Sequence, residues 1–296
     1  MRGRPILPLL LLLLPLSVGI AGAQPPPPLG RVEIFGGFTF VAPTLDTLLT
    51  TSYTPPFRYA TAEASSAGQT LQIAGDNGTG LELGAAFFFT EAVGIQVLFG
   101  ADSFDLGGTN APYTAHLEYI SRQPPDYTPR PVIVDHAEDW PDTVGQLKQR
   151  HLSFNAVGRT HLGRRVTGQV SGGLTYFRME GLVSPVGFSV YQLGGHSVLF
   201  PEHYQLEVAL DPAHTWGGNV GGGIDVELGR NVALTADFRY FAGGTISSPV
   251  AVSQILNEDE VISVDPIETI QETLDPPAVE LKPTRVRVMA GIRITF

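Results

Sequence analysis

Beyond residue 30, apolar and polar positions alternate with period two in stretches of about ten residues, the length of a tilted membrane-crossing strand. Eight such stretches run near residues 31–41, 80–90, 93–102, 151–162, 166–179, 219–228, 232–241 and 285–296. Tight turns at Thr90-Glu91-Ala92, Gly163-Arg164-Arg165 and Gly229-Arg230-Asn231 alternate with long connections near residues 43–77, 107–147, 180–215 and 244–283. Short turns therefore gather at one end of an up-and-down meander and long loops at the other. An even number of strands lets such a meander close with no exposed edge. The pattern predicts an all-β chain, an eight-stranded antiparallel up-and-down transmembrane β-barrel with four long extracellular loops. In the third loop, residues 188–193 and 204–210 alternate weakly around Gly194-Gly195, which predicts a hairpin prolonging the barrel. Counting that hairpin as two further crossings would give ten strands, but the run from Val186 to Leu193 is short for a crossing.

Period two does not say which face is inside, and the charges decide it. On the last strand one face reads Val286, Val288, Ala290, Ile292, Ile294 and Phe296, and the other Arg285, Arg287, Met289, Gly291, Arg293 and Thr295. Across all eight strands the apolar-rich face is expected to carry no charge, with Thr160 as its one ordinary polar residue. The opposite face sets Arg31, Arg159, Arg239, Arg285, Arg287 and Arg293 against Glu33, Glu82, Asp102, Asp225, Glu227 and Asp237. Such balance suits a narrow lumen, where an unpaired charge is costly, better than a soluble exterior. Phe35, Leu98, Val157 and Phe177 on the same face read as apolar plugs. Aromatics at strand ends, Phe38, Phe40, Phe87, Phe89, Tyr176 and Tyr240, suit interfacial girdles, although strand propensity enriches aromatics as well.

The beginning of the chain adds an address. Arg2 and Arg4 precede an apolar run with leucine at every position from 9 to 14, closed by Ala21-Gly22-Ala23, the order of a secretory signal peptide. The domains read as 1–23 signal peptide, 24–30 Pro-rich spacer and 31–296 barrel. No Cys is present, which excludes disulfides, thiolate metal sites and a lipidated cysteine. The net charge of −11 argues against a nucleic-acid partner.

With its signal segment, eight amphipathic strands, short turns and long loops, the chain resembles the small outer-membrane barrels of the OmpA, OmpX and opacity-protein type. The residues that carry this most specifically are those from Val286 to Phe296, similar to the C-terminal signal read by the barrel-assembly machinery. The resemblance gives Ile292, Ile294 and Phe296 that assembly role. It implies Sec export to the outer membrane of a Gram-negative cell. The partners it implies are outer-membrane lipid and lipopolysaccharide, with the barrel-assembly machinery and periplasmic chaperones during biogenesis, and an extracellular ligand of the loops. Nothing follows Phe296, so no peptidoglycan-binding domain, and no tether to the cell wall, is implied.

Catalytic signals are few. His151-Leu152-Ser153 resembles the His-x-Ser element of lipid A deacylase barrels, but both side chains face the lumen and no acid follows before Glu180. Lining the lumen is the plainer reading, and His161 reads as a lumen residue or turn cap. The fourth loop gathers Glu258, Asp259, Glu260, Asp265, Glu268, Glu272, Asp275 and Glu280 without calcium-loop spacing, and reads as a solvated acidic loop with a helical turn around residues 267–274. The second loop, with Pro124, Pro125, Pro129, Pro131 and Trp140, reads as extended and rigid, its aromatic either a contact surface or loop packing. No catalytic, cofactor or metal residue is assigned, and no cofactor is expected. The sequence points to a non-enzymatic surface protein working through its loops, with a narrow solute or ion channel and a lipid A-modifying enzyme as alternatives.

Overall fold

The computed structural model describes residues 30–58, 64–122, 128–194, 198–256, 267–274 and 278–296, so the signal segment and all of the spacer but Gly30 lie outside it. The strands are β1 (Arg31–Pro43), β2 (Asp46–Tyr53), β3 (Phe57–Arg58), β4 (Ser66–Phe88), β5 (Val93–Gly108), β6 (Tyr113–Arg122), β7 (Pro129–Glu138), β8 (Thr143–His161), β9 (Val166–Gly194) and β10 (Val198–Glu227). They continue with β11 (Val232–Gly243), β12 (Ile246–Ser248), β13 (Val250–Ile255), β14 (Val279–Leu281) and β15 (Arg285–Thr295), and helix α1 (Ile267–Leu274) lies between β13 and β14.

Eight of these close a ring of antiparallel pairs in the order β1, β4, β5, β8, β9, β10, β11, β15. Its first strand seals it, pairing with β4 on one side and β15 on the other. Each of the eight strands read from the sequence is in the ring, and among the described residues no ninth or tenth joins it. The two look-alike turns share one geometry: Leu162 and Gly163 both donate to the Val166 carbonyl, as Leu228 and Gly229 do to Val232. Phe296 donates to the Val32 carbonyl at 2.9 Å and ties the C-terminus to the first strand.

Near the turns the outer face is apolar. Leu83, Phe99, Phe154, Leu174, Val220, Phe238, Val288 and Ile34 all stand exposed on it. Outward runs such as Val32–Ala42 and Leu152–Leu162 are long enough for tilted strands to cross a hydrocarbon layer about 25 Å thick. Aromatics flank this band, with Phe87 and Phe89 edge to face at the turn end and Tyr176 against Trp216 at the other. One expectation needs correcting: Arg178, midway along β9, points outward. It pairs with Glu180 at 3.2 Å, and Arg150 approaches the same carboxylate at 3.8 Å, so this charge stands at the rim where the band ends.

Beyond that rim the connections expected to be loops are folded, which is the principal correction to the sequence reading. β9 and β10 run on for 29 and 30 residues and form the expected hairpin. β2 pairs with the first half of β4, and β6 and β7 form a second hairpin that joins the ring by three residue pairs with β4. β13 pairs with β10, and α1, where a helical turn was expected, buries Ile270 and Leu274. Together these elements form a head around an apolar core that includes Leu49, Leu71, Leu117, Leu147, Val183, Phe188, Leu206 and Leu281. Each such side chain contributes about 1.5–3 kcal/mol on burial.

The polarity of the strands thus inverts along their length. On β4, Glu82, Ala86 and Phe88 point inward near the turns, while Ala67, Leu71 and Ile73 do so in the head. Even-numbered positions give way to odd ones across a register shift between Gly75 and Gly78. On β10 the inward positions change from Leu206, Val208 and Leu210 to Ala213 and Asn219 across a second shift. A β-bulge re-aims the side chains that follow it, and here both bulges lie where the surroundings change.

Leu174→Arg is expected to destabilise the barrel in lipid vesicles by about 2–4 kcal/mol, whereas Gln146→Arg, outward on the head, should change stability by less than about 0.5 kcal/mol. Urea unfolding of both variants in vesicles checks this, and equal losses would contradict the assigned lipid band.

Candidate functional site: the lumen and the head above it

Inside the ring, charge is arranged in layers. Nearest the turns, Glu33 is fully buried and accepts from Arg159 Nη1 at 2.5 Å and Arg293 Nη1 at 2.8 Å, with Arg31 Nε 3.0 Å away. Arg293 also lies 3.3 Å from Asp225 and donates to Gln169 at 2.9 Å. Above this layer Phe35, Ala86, Phe88, Leu98, Val157 and Met289 form an apolar plug. Arg159 lies over the Phe88 ring at 3.8 Å and Arg293 over Phe35 at 4.8 Å, so the guanidinium faces are covered as well as their edges.

The next layer links Arg287 to Glu82 and, at 3.0 Å, to Asp237, which also takes Arg239 at 3.2 Å. Arg239 reaches on to Asn219 and Ser171. Arg285 then holds Asp102 at 2.9 Å, with Thr39 donating to the other carboxylate oxygen, while Phe177 and Phe241 close the top. Of the twelve charges expected in the lumen, Arg31 and Glu227 sit at the turn-end mouth, Arg31 with 42% of its side chain exposed. Arg159 is 7% exposed, and the remaining nine are buried. The plugs Phe35, Leu98, Val157 and Phe177 are where they were expected.

His151 belongs to this network, which its neighbours in sequence did not reveal. Its Nε2 lies 3.3 Å from Glu82, and Arg285 is 2.8 Å from Nδ1. A neutral ring donating from Nε2 to Glu82 and accepting at Nδ1 from Arg285 satisfies both contacts. The ring fills the space that Gly100 leaves across the β5–β8 pair, where a Cβ would overlap it. Its carboxylates come from β4 and β5 rather than from the following strand. Ser153 instead hydrogen-bonds Thr175 at 2.9 Å, and among the described residues no hydrogen bond joins Ser153 to His151. His161 stands at a turn, 3.1 Å from Thr167. Ile292, Ile294 and Phe296 face outward, 52%, 42% and 70% exposed.

The head offers an open cleft of about 800 Å³. It is lined by small polar residues such as Thr50, Ser52, Ser66 and Thr70, with His116, Asp135 and His136 at its side. Asp135, 2.7 Å away, and then Glu118 raise the His116 pKa above the ordinary imidazole value. Trp140 packs the head, donating to the Pro185 carbonyl at 3.0 Å. Tyr53 and Tyr113 share a hydrogen bond at 2.8 Å, and burial holds both phenols protonated well above their usual range. Beside them His203 is held below the ordinary value by burial, against the opposing pull of Glu138. Of the acidic loop, Glu258, Asp259, Glu260, Asp265 and Asp275 lie outside the described residues.

No protein-family model and no curated protein matches the chain. Among solved structures it is similar to the outer membrane protein OprG from Pseudomonas aeruginosa, with 12% identity and a TM-score of 0.42, covering 90% of this chain and 96% of that one. It is similar to Ail, the attachment invasion locus protein of Yersinia pestis, with 10% identity and a TM-score of 0.35 over 90% and 99% of the chains. It is also similar to the outer membrane protease OmpT from Escherichia coli, with 8% identity and a TM-score of 0.36 over 91% and 97%. The eight-stranded ring itself rests on the strand register described above.

Removing one partner of the central cluster should cost more than removing two. Arg287→Met strands Glu82 and is expected to lose about 3–5 kcal/mol. Adding Glu82→Gln should recover part of that loss, which a double-mutant cycle of urea unfolding measures. In the head, the ion pairs of His116 stabilise while it is protonated, so their contribution is full below its unfolded pKa and is lost as pH rises through its raised folded value. NMR titration should place the His116 midpoint above 6.5, the ordinary value, and Asp135→Asn should lower it.

Proposed function

We propose that this chain is an outer-membrane barrel that conducts nothing and serves as a rigid mount for a folded head on the outside of the cell. The observation that carries the reading is the filled lumen. Two layers of arginine–carboxylate pairs, an apolar plug between them and the Phe177–Phe241 pair above occupy the axis. A protein that spends so many buried charges on closing its interior has its accessible chemistry elsewhere, and the head supplies most of it. The N-terminal export signal and the charge-free outer band support placement in an outer membrane, with lipid and lipopolysaccharide around the band and at its rim. The outward Ile292, Ile294 and Phe296 support recognition by the assembly machinery after transit with periplasmic chaperones.

A channel would need a water path past Arg287, Arg285 and His151, each of which is buried against partners. A lipid A-modifying enzyme would need His151 to serve Ser153, but its contacts run to Glu82 and Arg285 instead. The head's cleft, rich in hydroxyls and open to solvent, is the surface on which a non-enzymatic role would act.

In planar bilayers the mature protein is expected to show no steady single-channel openings, and sustained conductance would overturn the sealed lumen. Mass spectrometry of lipid A from cells expressing the protein should match that from cells expressing His151→Ala, and a mass difference that depends on His151 would establish the enzymatic reading instead.

A further inference from the structure

Where the β6–β7 hairpin leans against β10, three metal-ligating side chains converge outside the lumen and apart from the sequence signals discussed above. His136 and Glu138 are two apart on β7 and share a face, and His203 on β10 pairs in register with Ser189 of β9. One ligand atom from each lies within 4.8 Å of the other two. Glu138 Oε2 is 3.3 Å from His203 Nε2 and 3.6 Å from His136 Nε2. Tetrahedral bonds of about 2.0–2.1 Å to nitrogen and oxygen hold neighbouring donors roughly 3.3–3.4 Å apart. Two of the three edges are therefore already near the spacing an ion would impose.

We infer that His136, Glu138 and His203 bind one divalent late first-row transition-metal ion, of which Zn²⁺ is the natural probe, and that the ion clips the β6–β7 hairpin to β10. Two imidazoles and one carboxylate favour such an ion over Mg²⁺ or Ca²⁺, which take all-oxygen sets. His136 Nε2 and Glu138 Oε2 are shielded from solvent and make no hydrogen bond. Unsatisfied atoms aimed at one another are what a shared ligand resolves. His203 Nδ1 lies 2.8 Å from Ser189 Oγ, and donating there leaves the Nε2 lone pair directed at the cluster. The His136 and His203 rings are stacked with centroids 5.8 Å apart, and the three side chains are 24–42% exposed, so the cluster lies close to the surface of the head. The clip has a mechanical purpose as well, because among the described residues the hairpin is otherwise laddered to the ring only through residues 66–68 of β4. Joining positions 67 residues apart on elements that pack without pairing restricts the chain strongly.

The test uses the untagged mature protein, refolded in detergent, stripped with chelator and dialysed against Zn²⁺. The expected result is one Zn²⁺ per chain by elemental mass spectrometry, with affinity falling at least tenfold in His203→Ala and in Glu138→Gln and unchanged in His116→Ala. Glu138→Gln keeps the shape of the side chain, and heat-dependent gel mobility verifies that each variant has folded. Trp140 provides a second readout: its ring is 5.8 Å from Tyr113, which lies 6.2 Å from His203. In a Trp216→Phe background, Cu²⁺ should quench the remaining fluorescence, and His136→Ala should abolish the effect. Absence of bound Zn²⁺ overturns the inference. So does Zn²⁺ retained equally by the His203 and Glu138 variants, which would mark adventitious binding to acidic side chains elsewhere, and so does loss caused by His116→Ala.

Discussion

An arginine has nowhere to go on the outside of a lipid-bathed strand, and that constraint organises the lower half of this protein. Arg285, Arg287 and Arg293 alternate along β15 with residues that face outward, so one choice of facing fixes the whole strand. Turned inward, their guanidinium groups require carboxylates within reach, and these arrive from β1, β4, β5, β10 and β11. The pairs do more than cancel charge. Because each links strands far apart in sequence, they are compatible with one closure of the ring and penalise a shift of register by stranding charge in a dry interior. The aromatic rings laid over the guanidinium faces complete the filling of the lumen.

Beyond the rim, the same strands obey the opposite rule. Water replaces lipid outside, so apolar side chains turn inward and polar ones outward, and the head acquires the core of a soluble protein. The barrel meets this change partly by interrupting its alternation, with bulges on β4 and β10 close to the boundary. Strands β5 and β8 cross the same boundary without interruption, changing only which kind of residue occupies the inward positions, from Gln96 and Leu98 to Phe104 and Leu106 on β5. Because strands run unbroken from the barrel into the head, the two share one sheet. That suits a surface whose polar cleft lies beside a hairpin held in place from below.

The sites differ in how much of them a reader of the sequence can see. The lumen charges follow from alternation alone, because parity on a strand is local information. His151 does not: its partners Glu82 and Asp102 lie 69 and 49 positions away, and only the β4–β5–β8 register brings them to one level. The same holds for His136, Glu138 and His203. Two of them show the i, i+2 spacing of a shared face, but the third comes from another hairpin, and no spacing rule connects them.

The sequence by itself determined the eight crossings, their facing, the position of the turns, the balanced lumen and the apolar plugs, because period-two alternation and charge placement express a strand's two environments residue by residue. It also marked α1 and the β9–β10 hairpin. It did not show that the long connections are folded, since bulges break the alternation on β4 and β10 near the point where inside and outside exchange polarity, leaving segments that read as irregular. Tertiary structure alone decided which charges pair, where His151 and Ser153 find their partners, and which side chains of the head converge. The first two depend on register between strands distant in sequence, a property of the closed ring, and the third on how the β6–β7 hairpin packs against β10 without pairing to it.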